Sequence, residues 1–158
     1  MQGPLEIEEL AERVILVGVS LQEHDDTEDS LAELAELAET AGAQVVGSTF
    51  QNRESIHPGT YVGKGKLQEL RQMVAELDAT GIICDDELSP AQLRNMEDGL
   101  ECKVMDRTLV ILDIFAARAS TSEGKIQVEL AQLKFRLSRL VGLGTSLSRL
   151  GGVIGTRG

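Results

Sequence analysis

The sequence contains no tryptophan, one tyrosine and three phenylalanines, too few rings to build a platform on which successive bases of a single strand would stack. Its two cysteines, Cys84 and Cys102, lie far apart and in no CxxC or CxxH pattern. That spacing speaks against a zinc site and for free thiols of a reduced intracellular protein. Long hydrophobic runs are also missing. The opening MQGPLEIEELAERVILVGVSL sets acidic flanks around a short apolar run, which fits neither a signal peptide nor a transmembrane helix, so a cytoplasmic protein without membrane contact is expected. Basic residues are scarce at first: 8 basic and 24 acidic residues precede position 118. Acidic residues are then absent from Gln132 to Gly158, a stretch carrying Lys134, Arg136, Arg139, Arg149 and Arg157. An acidic body with a basic end implies that the end meets a polyanion.

What is present suffices for one core. The chain has 158 residues, 42% of them apolar, enough for one domain with a helical appendage and too few for two ordinary domains. The appendage is read from Ile126, Leu130, Leu133, Leu137 and Leu140. Their spacing of four, three, four, three is that of a coiled-coil seam, and a seam needs a partner helix.

Before it, strands and helices alternate. Val14–Val19 is β-branched and apolar throughout, as a strand covered on both faces of a parallel sheet must be. Ser30 with Glu33 has the spacing of a capping box, which would open a helix that turns Leu31, Leu34 and Ala38 inward and closes at Gly42. Residues 21 to 39 hold eight acidic groups and no basic one, the mark of a solvated helix face. Gln44–Phe50 reads as a second strand. A helix from Gly65 to Thr80 buries Leu67, Leu70, Val74 and Leu77 and stops at Gly81, and Ile82–Asp85 is a third strand. Ser89, Pro90 and Gln92 are three agreeing start signals for a helix that Gly99 would end. Cys102–Met105 is a fourth strand, and Asp106 caps a helix so apolar that it should be sandwiched. Ser120 with Glu123 would cap the seam helix. The expected fold is α/β: an open, mostly parallel four-stranded sheet with helices on both faces, then a long helical, coiled-coil-like extension. Residues 1–118 form the α/β part and 119–158 the extension.

Three groups of residues are candidates for function. Gly63, Lys64, Gly65 and Lys66 precede a helix N-terminus, where amides and the dipole can bind phosphate, although the GxxxxGK[ST] spacing is absent and a glycine-permitted strand-to-helix turn is the favoured reading. Asp85, Asp86 and Glu87 follow a strand, where an α/β sheet receives ligands, and loop or capping roles compete with that reading. Asp113 lies within an apolar run and would need a partner, such as an arginine of the seam helix. His24 and His57 have no nucleophile placed beside them by spacing, and no receiver-type aspartate pair follows the first strand.

Four stretches in order, TYVGKGKLQEL (60–70), DDELSPAQLRNME (85–97), VMDRTLVILDIFAARASTSEGKIQVELAQLKFRLSRLVG (104–142) and LSRLGGVIGTRG (147–158), resemble the N-terminal domain of the HflX family of ribosome-associated GTPases. The likeness runs from about residue 44 to the end. It implies that residues 125–158 are the first helix and tip loop of an antiparallel hairpin, truncated before the second helix and the GTPase domain. It further implies that the intact protein hydrolyses GTP with Mg2+, binds the large ribosomal subunit, and helps split or rescue stalled ribosomes under stress. The tip, from about Val141, would approach rRNA near the peptidyl transferase centre, with Lys134, Arg136, Arg139, Arg149, Gly151, Gly152, Gly155 and Arg157 as contacts. GlyGlyValIle at 151–154 departs from the family's commoner run of three glycines. No P-loop, switch threonine or guanine-specificity motif occurs in these residues, so no GTPase activity and no cofactor are expected of them alone. Two other readings remain open: an ATP-binding α/β domain using Gly63–Lys66, and an oligomerisation module that self-associates through the unpaired seam.

Overall fold

The computed structural model describes residues 12–21 and 26–151, without the side chains of Arg136 and of 138–151. The elements are β1 (Arg13–Leu21), α1 (Thr27–Thr40), β2 (Gln44–Arg53), α2 (Lys64–Glu76), β3 (Gly81–Cys84), α3 (Pro90–Leu100), β4 (Lys103–Asp106), α4 (Arg107–Arg118) and α5 (Ser122–Gly151). The strands form one parallel sheet in the order β2-β1-β3-β4. The α/β expectation is thereby met, and the alternation of side chains along β1 shows why helices are needed on both faces. Ile15, Val17 and Val19 point into one layer with Leu70 of α2 and Met96 and Leu100 of α3. Val14 and Leu16 point into the other, with Leu31, Leu34 and Ala38 of α1 and Val110 and Ile114 of α4. Six successive residues of β1 after Arg13 are apolar or glycine because neither face of the strand meets water.

Helix ends depart from several sequence expectations. α1 begins at Thr27, after Asp26, so Ser30 lies inside it and does not cap it; the Ser30 hydroxyl instead donates to Asp85 Oδ2 at 2.6 Å. α2 ends at Glu76, because Asp78 turns left-handed (φ 54) and the Arg13 side chain binds the carbonyls of Leu77 at 2.8 Å and Asp78 at 3.0 Å. Gly81 therefore opens β3. A Cβ there would lie 2.8 Å from the Lys103 carbonyl oxygen, so the close approach of β4 demands glycine. Gly99 likewise lies within α3, where its bare Cα admits Leu67 of α2, and the left-handed residue that ends the helix is Glu101 (φ 57).

Other local signals survive folding. Ser89 and Gln92 form both bonds of a capping box with Pro90 at the first turn, and Asp106 caps α4 by accepting from the Leu109 amide at 3.1 Å. α4 is not fully sandwiched: Val110 and Ile114 are buried, but Phe115 is 56% exposed. The chain breaks at Ala119, whose backbone is extended, and the α5 cap is Thr121, which accepts from the Gly124 amide, not Ser120. α5 then continues helically to Gly151, so Val141–Gly151, expected to begin the tip loop, is helical instead, although Gly142 and Gly144 each cost a helix roughly 1 kcal/mol.

Asp106 is fully buried and its other oxygen accepts from the buried Leu88 amide at 2.9 Å. Asp106→Ala would leave two amides without this acceptor and should cost about 2 to 4 kcal/mol in urea unfolding, with Asp106→Asn losing less because it keeps one carbonyl oxygen.

Candidate functional site

In the order β2-β1-β3-β4 the chain steps one way from β1 and the other way towards β3, so a crevice opens at the carboxyl ends of these two strands. Here that crevice is occupied by the protein itself. Arg107, the first residue of α4, places Nη2 2.7 Å and Nε 3.1 Å from Asp85 Oδ1, Nη1 3.0 Å from Glu33 Oε1, and Nη2 3.0 Å from the Ser30 carbonyl. Burial would lower the Arg107 pKa, but the bonds and charges of Asp85 and Glu33 prevail and hold it above its ordinary value. Beside this cluster Asp86 accepts from the Tyr61 hydroxyl at 2.6 Å, and Glu87 accepts from Thr108. The three acidic residues are thus engaged in loop and helix-start contacts. Sequence reasoning missed the cluster, since Arg107 had no assigned partner and Ser30 with Glu33 carried only a capping signal.

The glycine–lysine turn lies under β2. Gly63 is the residue before α2 and its amide donates to Gln51 Oε1 at 2.9 Å. Lys66 donates to Thr49 Oγ1 at 2.6 Å and pairs with Glu69 at 3.1 Å, its side chain only 11% exposed. Lys64 and Gly65 are exposed. The loop before the turn is fastened to α3: Gln92 donates to the His57 carbonyl and Asn95 to the Gly59 carbonyl. The His57 ring accepts from the amides of Gly59 and Thr60 at Nδ1, which leaves its proton on Nε2. A phosphate cradle of the P-loop kind needs several successive free amides and an unengaged lysine. The residues present do not fit one, because the first amide and Lys66 are held by β2. His24 lies outside the described residues.

The third region is the arm. α5 touches α3 and α4, a helix from each layer, and Gln132 donates to Asp113 Oδ1 at 2.9 Å. Asp113 is exposed rather than buried, and the partner described for it is this amide; the side chains of Arg136, Arg139 and Arg149 lie outside the described residues. The seam is uncovered: Ile126 is 62%, Leu130 48%, Leu133 52% and Leu137 50% exposed. Lys134 is exposed on the same helix. Arg136, Arg139 and Arg149 belong to α5 by backbone, Gly151 is its last residue, and Gly152, Gly155 and Arg157 lie outside the described residues. Among the described residues no group of His, Cys, Asp and Glu is placed to hold a metal ion, and no helix is long and apolar enough to cross a membrane. Burial pushes the thiols of Cys84 and Cys102 up from their ordinary range, so neither is an activated nucleophile.

Comparison with known proteins follows the same division of the chain. Residues 28–116 match the family described as GTP-binding GTPase N-terminal, and 118–158 the GTP-binding GTPase Middle Region. GTPase HflX of Lacrimispora saccharolytica is 67% identical over 154 residues, which cover 98% of this chain and 36% of the relative. This chain belongs to the HflX family. GTPase HflX of Escherichia coli is 44% identical over 147 residues, covering 93% of this chain and 34% of that protein, so the chain spans about a third of the curated HflX relatives it matches. Among solved structures, a GTP-binding protein from the archaeon Sulfolobus solfataricus in complex with GDP aligns with a TM-score of 0.62 at 27% identity, over 84% of this chain and 40% of that one.

The only tyrosine of the chain is fully buried. Burial, reinforced by Cys84 and Asp86, raises the Tyr61 pKa far above its ordinary value. An unfolded chain ionises tyrosine near pH 10 whereas folded Tyr61 keeps its proton, so stability should be insensitive to this group below about pH 10 and fall as pH rises beyond it. Phenolate absorbance should accordingly appear only together with unfolding, and Tyr61→Phe should flatten the alkaline fall; absorbance that titrates near pH 10 in folded protein would contradict this burial.

Proposed function

We propose that this chain is the ribosome-facing part of a GTP-hydrolysing HflX protein, and that its arm carries the contact with the large ribosomal subunit. The observation that carries this reading is the segregation of charge. The sheet and its helices are strongly acidic, while Gln132–Gly158 is basic without exception. A negatively charged body repels RNA, so contact falls to the arm, where Lys134, Arg136, Arg139, Arg149 and Arg157 meet phosphates and Gly151, Gly152 and Gly155 allow close backbone approach. The place of contact is rRNA near the peptidyl transferase centre, and the outcome is the splitting or rescue of stalled ribosomes. GTP and Mg2+ belong to the GTPase domain of the intact protein; among the described residues, the Gly63–Lys66 turn does not fit a nucleotide's phosphates. The exposed seam is consistent with a second arm helix packing along it, and in the absence of that helix with self-association.

Nucleotide binding through Gly63–Lys66 is the weaker alternative, because Lys66 is already bonded to Thr49 and Glu69. Filter binding to large subunits at varied salt separates the two. Each phosphate neutralised adds about 0.7 to 0.9 to the slope of log affinity against log salt, so engagement of most of the five cations gives a slope of roughly three to four. Arg139→Ala with Arg149→Ala should lower the slope by about one to two, and Lys64→Ala should leave it unchanged. The reverse pattern would move the contact to the glycine–lysine turn.

A further inference from the structure

β2 is the edge strand on the side away from β3, and among the described residues nothing pairs with its outer side. It runs for ten residues, whereas β3 and β4 have four each. Long edges are normally guarded by proline, lysine or bulges. β2 has neither proline nor lysine and carries no charge from Gln44 to Asn52. Its one irregularity is at Val46, skipped in the register where Val14 faces Val45 and Ile15 faces Gly47. From Gly47 onward the strand is regular, and alternate backbone N–H and C=O groups face outward.

Beside this edge, on the α1 layer, lies a groove of about 400 Å³ lined by Val45 and Phe50 of β2 and by Leu31, Ala32 and Ala35 of α1, with Glu28 at its rim. The alanines leave the space open where larger side chains would close it. Glu28, Ala32, Ala35 and Glu39 follow one another on successive turns of α1, so a small-residue floor is bracketed by two exposed carboxylates. α1 has Glu28 and Asp29 in its first turn and no basic residue in its last.

We propose that the outer edge of β2 and this groove form a docking surface for an extended basic segment of a partner protein, added as a fifth strand. The edge supplies main-chain hydrogen bonds, the groove takes the apolar side chains that face α1 at alternate positions, and Glu28 and Glu39 at its two ends select lysine or arginine flanking them on that same face. A second copy of the chain is the wrong occupant, because edge-to-edge pairing would set two acidic α1 helices side by side on one face. This surface is on the opposite edge of the sheet from β4 and is independent of the arm.

A seven-residue peptide with lysine at positions 1 and 7, valine at 3 and 5 and threonine between, so that valines and lysines share one face, tests the assignment on the 158-residue chain by NMR. The expected result is slowed exchange of outward amides in residues 47–53, with shifts at Ala32 and Ala35. Ala32→Trp, at an exposed position, should weaken binding more than tenfold, and Glu28→Lys with Glu39→Lys should weaken it severalfold and reduce its salt dependence; circular dichroism confirms that both variants fold. An equally charged glycine–lysine peptide should not protect β2. The proposal is overturned if that control binds equally, if the valine–lysine peptide fails to bind or maps elsewhere, or if β2 is already protected in a peptide-free dimer.

Discussion

Three parts of the chain far apart in sequence meet at one guanidinium. Arg107 binds Asp85 at the end of β3 and Glu33 and Ser30 in the first turns of α1, while itself opening α4. Asp85 has a side chain only 10% exposed and Arg107 one 22% exposed. A carboxylate or guanidinium so placed is strongly disfavoured without its partner, whereas the pair with additional bonds is tolerated. The neighbouring Asp106 pins the same helix start through the amides of Leu88 and Leu109. With its first turn held twice, α4 has one direction across the sheet. The place of the arm depends on that of α4, because α5 starts after a break of only three residues and is tied back by the Gln132–Asp113 bond.

The same cluster has a cost in function of another kind. An open α/β sheet offers its ligand crevice where strand order reverses, and here the crevice is filled by satisfied side chains. Among the described residues no buried side-chain nitrogen or oxygen lacks a partner. Among the described residues the side chains at the sheet's carboxyl edge are engaged with one another, and the uncovered surfaces are peripheral: an arm with an exposed apolar seam, and an open strand edge beside an acidic helix.

Much of this architecture was legible in the sequence, where short-range physics decides. A strand apolar on every residue has to be covered on both sides; Ser89, Pro90 and Gln92 satisfy one another within a single turn; Asp106 caps the helix it begins; and the four-three spacing of Ile126 to Leu137 leaves a seam whatever the body does. None of these depends on a distant partner. The charge asymmetry between body and arm is likewise a property of order along the chain.

Long-range partners were what the sequence could not supply. Ser30 looks like a cap and is instead bonded to Asp85, 55 positions away; Lys66 looks like a phosphate ligand and is held by Thr49, 17 positions back; α2 is stopped by Arg13, 64 positions before the Leu77 carbonyl it binds. Glycine signals were misread for the same reason, since Gly81 and Gly99 are set by the approach of Lys103 and Leu67 rather than by a helix ending. By itself the sequence determined which segments become strands and helices, which faces are apolar and where charge accumulates, because those follow from neighbours within a turn or two. Only the tertiary structure decided which polar groups are engaged and which remain available, because a hydrogen bond is chosen by proximity after packing, and packing is a property of the whole chain.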